Sequence, residues 1–418
     1  MHLRTLWITA LLVLLAIVSS NAADQGLPEQ VIPNCFGVNI HFTGDRDKEV
    51  KQIADGGFRF VRMDILWNEC EKEKGMYDFS AYDGLMTALD RHGIRALFIV
   101  CYGNPIYSGN PDVRFAPVND ESRKAFAAYA GALAKHYRGR GILWEIWNEP
   151  NYGFWQPGPD PVTYALAANM AAKAIHAADP TATVMGPATA YMDPPWLEAA
   201  FKLGVLENFD VVSVHPYRGG NMSPETAIPE FKPVFDVVSK YTPKGKTIPV
   251  ISSEWGYTQS DFSAEKQAEF MIRAFLGNMM SGMKLSIWYD WHDDGESPKE
   301  REHHFGTVYF DYTPKPAYKA MQTLTKTLTG YRLVRRMDTA KPDDYVLLFT
   351  DGATNKLAAW TTGEAHAVSI AIDAPAVILT DMYGKRKRGD VKDGKLSLTV
   401  SQSVTYVSIP GKSKLPND

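Results

Sequence analysis

Short apolar runs alternate with amphipathic, helix-patterned segments from residue 35 to about residue 330. Glycine or Asp-Pro closes several of the helical segments, as helix C-termini prefer. The apolar runs are continuous, which is typical of strands in a parallel sheet covered by helices. The eight runs span residues 35–42, 58–64, 95–104, 142–149, 183–189, 209–217, 248–256 and 285–290.

Eight strand–helix units of this length predict an α/β fold, a (β/α)8 TIM barrel over residues 23–330. A doubly wound open sheet is the alternative, but no glycine-rich phosphate loop follows the first strand. Beyond residue 331 the pattern changes to short strands separated by Gly or Asp turns. This predicts a small antiparallel β-sandwich over residues 331–418. The basic run at 385–388 is expected in a solvated turn between two of its strands.

The first 22 residues predict a signal peptide. Residues 11–18 form its apolar stretch, and Ser20-Asn21-Ala22 is a small-x-small cleavage site. A membrane anchor is the alternative, but the apolar run is short for a span of about 20 residues. We therefore expect cleavage and a secreted or periplasmic protein without a membrane anchor.

Composition narrows the function further. The formal net charge of −4 over 418 residues gives no indication of a nucleic-acid partner. Three cysteines, Cys35, Cys70 and Cys101, allow at most one disulfide and lack the spacing of a zinc site, so we expect them to pack. Aromatic residues make up 12% of the chain, which suits stacking on sugar rings as well as ordinary core packing.

Candidate chemistry lies at the carboxyl ends of the predicted strands, where active sites of such barrels are built. Glu149 ends the fourth strand and Glu254 the seventh, and both strands are otherwise largely apolar. Two carboxyl groups that face each other across a barrel mouth can cleave a glycoside, because one protonates the leaving oxygen while the other attacks the anomeric carbon. This chemistry requires no metal and no organic cofactor.

The segments around these glutamates, residues 144–151 (WEIWNEPN) and 253–256 (SEWG), resemble motifs of the retaining glycoside hydrolases of clan A. The longer motif is most similar to family 39, with the cellulase-like family 5 next. The resemblance covers residues 35–330. It implies a retaining β-glycoside hydrolase that cleaves a β-linked poly- or oligosaccharide, with Glu149 as acid/base and Glu254 as nucleophile.

The resemblance also implies roles for residues that would contact or support the substrate. Asn148 matches the asparagine that holds the sugar 2-hydroxyl, and Arg62 the arginine that keeps the nucleophile ionised. His215 and Tyr217 match a pair that orients the two carboxylates, and Trp288 a tryptophan under the cleaved sugar. The predicted cleft is completed by four more residues at strand ends: His41, Asn104, Trp255 and Trp291.

Several residues near these strand ends have two interpretations. We interpret Glu145 as a structural carboxylate paired with an inward base or amide, rather than a catalytic group. Asp64 is either a third carboxylate in the cleft or a salt-bridge partner. Residues 292–294 (HDD) and 302–304 (EHH) would make a metal site or, as we prefer, a hydrogen-bonded loop along the cleft, because their spacing fits no known metal motif. Asp290 and His304 are candidate substrate contacts. Core packing and stacking on a sugar are both open for the aromatic residues Trp67, Tyr102, Trp155, Trp255 and Trp291.

Three functions other than glycoside hydrolysis are alternatives for this sequence. A transglycosylase would use the same site with a sugar as acceptor, and product analysis separates the two. A carbohydrate-binding protein on an inactive barrel predicts loss of one glutamate, whereas Glu149 and Glu254 are both present. A phosphate-handling barrel predicts a glycine-rich anion loop after the seventh and eighth strands, which the sequence lacks.

Overall fold

Eight parallel strands close into a barrel in the computed structural model, which describes residues 26–220 and 222–411. Each strand pairs with the next along the chain, and β8 returns to pair with β1. The predicted barrel is therefore confirmed, and the signal peptide lies outside the described residues. The barrel strands are β1 Phe36–Asn39, β2 Phe60–Leu66, β3 Arg95–Cys101, β4 Leu143–Ile146, β5 Thr183–Ala190, β6 Val211–His215, β7 Val250–Ser252 and β8 Ser286–Trp288.

Helices cover the outside of the barrel and begin where the sequence supplies caps. Asn119 and Ser122 form a reciprocal capping box at the start of Asp120–His136. Asp160 accepts from two backbone N–H groups at the start of Pro161–Ala178. The α-helices are Asp47–Gly56, Trp67–Cys70, Ser80–His92, Pro105–Ser108, Asp120–His136, Pro161–Ala178, Pro194–Phe201, Val205–Asn208, Ile228–Tyr241, Ala264–Met280 and Pro316–Leu328. Among the described residues, no helix is long and apolar enough to cross a membrane.

An apolar layer fills the barrel interior below the strand ends and fixes which side chains point inward. Its buried members are Phe60, Leu97, Leu143, Met185, Val211, Ile251, Leu285 and Ile287. Because side chains alternate along a strand, the inward positions that follow Phe60 are Arg62 and Asp64, and the one that follows Ile287 is Tyr289. The polar side chains Arg62 and Asp64 therefore enter the barrel above this layer, toward the carboxyl ends of the strands.

The C-terminal region is one antiparallel sheet of eight strands in the order β12-β15-β14-β13-β16-β11-β10-β9. The sheet curls, so that strands from its two halves share one apolar core, as the predicted sandwich requires. Its strands are β9 Arg332–Arg336, β10 Asp344–Thr350, β11 Asn355–Thr361, β12 His366–Ala371, β13 Ala376–Thr380, β14 Arg386–Lys392, β15 Lys395–Val400 and β16 Thr405–Ser408.

Two strands of this sheet differ from the sequence-based expectation. Most of the basic run lies in β14 rather than in a turn, and β9 was not expected as a strand. Gly389 is the only buried residue of β14, and none of β9 is buried. Neither segment therefore shows the alternation of apolar and polar residues that predicts a strand.

A buried ion pair joins the barrel to the sheet. Arg273, on the helix Ala264–Met280, donates two hydrogen bonds of 2.7 Å to the Glu225 carboxylate. The Trp360 indole of β11 donates to the same carboxylate at 2.8 Å and stacks on Tyr345. Burial opposes ionisation of Glu225, but the hydrogen bonds and charge of Arg273 hold its pKa below the ordinary value.

Substituting Glu225→Ala should destabilise the protein by about 3–5 kcal/mol, because Arg273 would keep a buried charge without its carboxylate. The measurement is the free energy of unfolding from guanidinium denaturation. Asp236→Ala is the matched control, since it breaks an exposed ion pair with Lys232 on the helix Ile228–Tyr241 and should change stability little. Equal losses in the two variants would contradict the structural importance of the junction.

Candidate active site

An open cleft of about 550 Å³ lies over the carboxyl ends of the barrel strands. Both predicted catalytic glutamates line it, together with side chains from β1, β2, β3, the loop after β6 and the end of β8. The polar and aromatic residues at its centre are Asn39, His41, Arg62, Asp64, Tyr102, Asn148, Glu149, Tyr217, Glu254 and Tyr289.

Arg62 connects most of the polar groups at the bottom of the cleft. Its guanidinium donates to Glu145 at 2.7 Å, to Glu254 at 2.5 Å and to Asn148 Oδ1 at 2.7 Å. Burial opposes its charge, but the charges of Glu145 and Glu254 raise the pKa of Arg62 above its ordinary value. The interpretation of Glu145 is confirmed, because this fully buried carboxylate is paired with an inward base.

Glu254 is held in its ionised form. Arg62 binds one carboxylate oxygen, and the Tyr217 hydroxyl donates to the other at 2.8 Å. Burial would raise the pKa of Glu254, but the charge of Arg62 and the hydrogen bonds from Tyr217 and Arg62 lower it, as His215 also does whenever its ring is protonated. An ionised carboxylate with lone pairs directed into a cleft can act as a nucleophile.

Glu149 faces Glu254 and is positioned by His215. The His215 Nδ1 atom lies 2.9 Å from the Glu149 carboxylate, and Nε2 lies near Ser253 Oγ and the Arg62 guanidinium. Since a guanidinium can only donate, we assign the proton of the neutral imidazole to Nδ1, which then donates to Glu149. One atom each of Glu149, His215 and Glu254 lie within 4.8 Å of one another.

The backbone at the end of β4 turns sharply to direct Glu149 into the cleft. Trp147 and Glu149 both have positive φ, of 69° and 47°, which non-glycine residues rarely adopt. Two hydrogen bonds hold this conformation, from Glu149 N to Ala188 O on β5 and from the Trp147 indole to Phe154 O. Strained backbone of this kind is commonly found at functional sites.

The structure brings five of the nine predicted substrate-binding residues to the centre of this site. Asn148, Arg62, Tyr217 and His41 line the cleft, and His215 lies directly beneath Glu149. Asn104 does not line the cleft, because its buried side chain caps the helix Pro105–Ser108 and donates to Glu71 O.

Three predicted tryptophans are also absent from the cleft wall. Trp288 follows the inward residue Ile287 and therefore points outward, against Phe275 of the helix Ala264–Met280. Trp291 packs on Tyr318, and Trp255 is buried beside Tyr257. Among the other candidates, Trp67 and Trp155 are buried in aromatic clusters, whereas Tyr102 does line the cleft.

Three tyrosines that line the cleft were not predicted from the sequence: Tyr152, Tyr191 and Tyr289. Tyr289 lines the cleft where Trp288 was expected, and the alternation from Leu285 and Ile287 is the signal that would have identified it. Tyr152 and Tyr191, on the loops after β4 and β5, line the opposite wall.

Among the described residues, two groups of histidine and carboxylate side chains lie close enough together to hold a metal ion. One is Glu149, His215 and Glu254, and the other lies beside the cleft. His41, Asp290 and Asp294 offer ligand atoms within 4.8 Å of one another. Although partial burial disfavours the charged imidazole, the bond to Asp294 and the charges of Asp290 and Asp294 raise the pKa of His41 to about 9. The protonated ring thus supplies a positive charge at this position.

The side chains of residues 292–294 and 302–304 do not converge on a single metal site. Asp293 is buried against Lys315, at 2.6 Å, and His304 contacts Ser297 O. His292 stacks on Tyr312.

Asp64 lines the cleft and accepts a hydrogen bond from the Cys101 thiol, while burial raises the pKa of Asp64. It is therefore a third cleft carboxyl. All three cysteines are buried and unbridged.

A parallel eight-stranded barrel with two opposed glutamates at its carboxyl end has the arrangement that a glycoside hydrolase needs. The chain belongs to the glycosyl hydrolases family 39, whose family model matches residues 38–369. It is 26% identical over 338 residues to a β-xylosidase of Caldicellulosiruptor saccharolyticus, a match that covers 71% of this chain and 68% of the relative.

Solved structures show the same architecture. A family 39 glycoside hydrolase from Bacteroides cellulosilyticus WH2 superposes with a TM-score of 0.79 at 25% identity, covering 90% of this chain and 80% of that one. A monomeric β-xylosidase from Caulobacter crescentus CB15 shares the fold at a TM-score of 0.68 and 18% identity, covering 92% and 98% of the two chains.

Substituting Tyr217→Phe should move the acidic limb of the pH–activity profile to higher pH. The hydrogen bond from Tyr217 lowers the pKa of Glu254, so its loss raises that pKa and Glu254 becomes ionised only at higher pH. The measurement is kcat/KM against pH with an aryl β-glycoside.

Tyr318→Phe is the control for this shift, because it removes a buried hydroxyl that donates to Gln52 O away from the cleft. Its acidic limb should match that of the unmodified protein. An unchanged limb in Tyr217→Phe would show that the tyrosine does not tune Glu254.

Proposed function

We propose that this protein is a retaining β-glycosidase that cleaves β-linked poly- or oligosaccharides by double displacement. The observation that carries the proposal is the close approach of Glu149 and Glu254, whose nearest ligand atoms lie within 4.8 Å. Retaining enzymes place their carboxyl groups about 5–5.5 Å apart, whereas inverting enzymes leave about 6.5–9.5 Å for a water molecule.

In the first step Glu254 attacks the anomeric carbon and forms a glycosyl ester with it. The bond between the anomeric carbon and the leaving oxygen breaks. Glu149 gives its proton to that oxygen, so the leaving group departs as a neutral alcohol. Arg62 and Tyr217 keep Glu254 ionised before attack. Asn148 lines the cleft and is fixed through its Oδ1 atom by Arg62, so its amide nitrogen can donate to the bound sugar.

In the second step the ionised Glu149 removes a proton from water as the water attacks the same carbon. The ester bond to Glu254 breaks, the carboxylate is restored and Glu149 is again protonated. His215, which contacts Glu149, keeps this carboxyl group directed into the cleft through both steps. Attack twice on one carbon restores the original anomeric configuration.

Substituting Glu254→Ala should lower kcat by about 10⁴-fold or more, because no covalent intermediate can form. Glu149→Ala should lose about 10²–10⁴-fold on substrates with poor leaving groups and much less on glycosyl fluorides, whose leaving group needs no proton. Initial rates on aryl β-xylosides, aryl β-glucosides and the matching fluorides measure both effects.

Proton NMR of the first product formed should show the β anomer, and an α anomer would refute the retaining mechanism. Glu121→Gln, an exposed glutamate on the helix Asp120–His136, is the control and should keep full activity. If Glu254→Ala matched the unmodified protein, the carboxylate would not be the nucleophile. Disaccharide products longer than the substrate would instead favour transglycosylation.

We also infer that the protein is exported, on the strength of the signal-peptide pattern in residues 1–22. Expression of the full chain in a Gram-negative host, followed by N-terminal sequencing of the periplasmic fraction, should give a mature protein that begins at Ala23. Retention of the uncleaved chain in the cytoplasm or in the membrane would contradict export.

A further inference from the structure

Two tyrosines on one wall of the cleft are unusually exposed for large aromatic residues. Tyr152 is 58% and Tyr191 53% accessible, although both line the cleft. Phe154, which stacks on Tyr102, continues this aromatic surface toward the floor of the site. Exposed apolar surface in a concave site marks a binding region, because leaving it in water is otherwise unfavourable.

These tyrosines flank the acid/base glutamate rather than the nucleophile. Tyr152 lies three residues beyond Glu149 on the same loop. Tyr191 immediately follows β5, the strand to which Glu149 is tied by the bond from its N–H to Ala188 O. The proton of Glu149 goes to the leaving oxygen, which must lie within hydrogen-bond reach of it. The leaving group therefore departs over the loops that carry Tyr152 and Tyr191.

Asn151 holds the two loops in a fixed relation. Its Nδ2 donates to Ala190 O at 3.0 Å, and its Oδ1 accepts from Ala190 N at 2.8 Å. Asn151 immediately precedes Tyr152, and Ala190 immediately precedes Tyr191. This reciprocal pair of bonds thus fixes the two backbone positions from which the aromatic rings project.

The backbone at Tyr191 is strained in a way that exposes its ring. Its φ is 57°, in the left-handed region that a bulky side chain rarely occupies. Thr189 donates to Tyr191 O at 3.2 Å, and the Tyr191 backbone forms an isolated bridge with His215. Surrounding contacts therefore maintain an unfavourable conformation whose result is an aromatic ring at the cleft wall.

We propose that Tyr152 and Tyr191 form a platform that binds the leaving-group sugars, so that the preferred substrate carries two or more sugar units beyond the cleaved bond. Rigid aromatic rings with a hydroxyl at the edge suit this task, because a pyranose offers C–H faces and polar edges. The proposal deepens the proposed function and rests on the acid/base role of Glu149.

The test compares two kinds of substrate that share one cleaved sugar. β-Xylosyl and β-glucosyl fluorides have a leaving group too small to reach the platform, whereas xylo- and cello-oligosaccharides of two to five units extend across it. In the unmodified protein kcat/KM should rise with chain length. Tyr152→Ala and Tyr191→Ala should each lower the ratio of oligosaccharide to fluoride kcat/KM by about fivefold to tenfold, mainly through KM.

Conservative and distant variants separate stacking from a structural effect. Tyr191→Trp and Tyr152→Trp should restore most of the ratio, because an aromatic face is retained. Tyr383→Ala removes an equally exposed tyrosine of the C-terminal sheet and should leave the ratio unchanged. An equal loss on fluorides and oligosaccharides in the alanine variants, or no dependence on chain length, would overturn the platform. Failure to cleave any fluoride would instead overturn the proposed function, and the platform with it.

Discussion

The buried guanidinium of Arg62 is the interaction on which the rest of this site depends. It enters the barrel from β2 and contacts groups supplied by β4, β6 and the end of β7. A charge at that depth is stable only with paired carboxylates and satisfied hydrogen bonds. Glu145 and Glu254 supply the charges, and Asn148 supplies a further acceptor. Glu254, the proposed nucleophile, is thus one member of a network that the barrel must assemble in order to bury its arginine.

The different roles that we propose for the two glutamates rest on this network. Glu254 receives bonds from Arg62 and Tyr217 on separate oxygens, an environment that favours its ionised form. Glu149 has no direct bond to the guanidinium and is positioned by the His215 imidazole instead. Two like carboxyl groups therefore acquire different tasks from different neighbours, a pattern that recurs wherever paired acids share a site.

The fold and the position of Glu149 and Glu254 in the cleft could be predicted because their signals are local. Eight continuous apolar runs predicted eight parallel strands, and all eight occur within a few residues of the expected bounds. Glu145 could be interpreted correctly because a carboxylate inside an apolar strand requires a partner.

The remaining features of the cleft and of the C-terminal sheet depend on geometry that no short sequence segment encodes. Trp288 was placed in the cleft on a resemblance, whereas side-chain alternation from Ile287 directs Tyr289 there. The positive φ of Tyr191 comes from contacts with residues elsewhere in the chain, and neither β9 nor β14 shows an apolar pattern.

The junction of Glu225, Arg273 and Trp360 constrains the order in which the chain can mature. Glu225 and Arg273 are synthesised well before Trp360. The ion pair between them can therefore form while the Trp360 indole, the third donor to this carboxylate, is still missing. The wall of the barrel beneath the sheet is completed only when β11 arrives and its indole closes over the ion pair. Completion of this wall is therefore a late step in folding, because it needs a strand that follows the whole barrel in the chain.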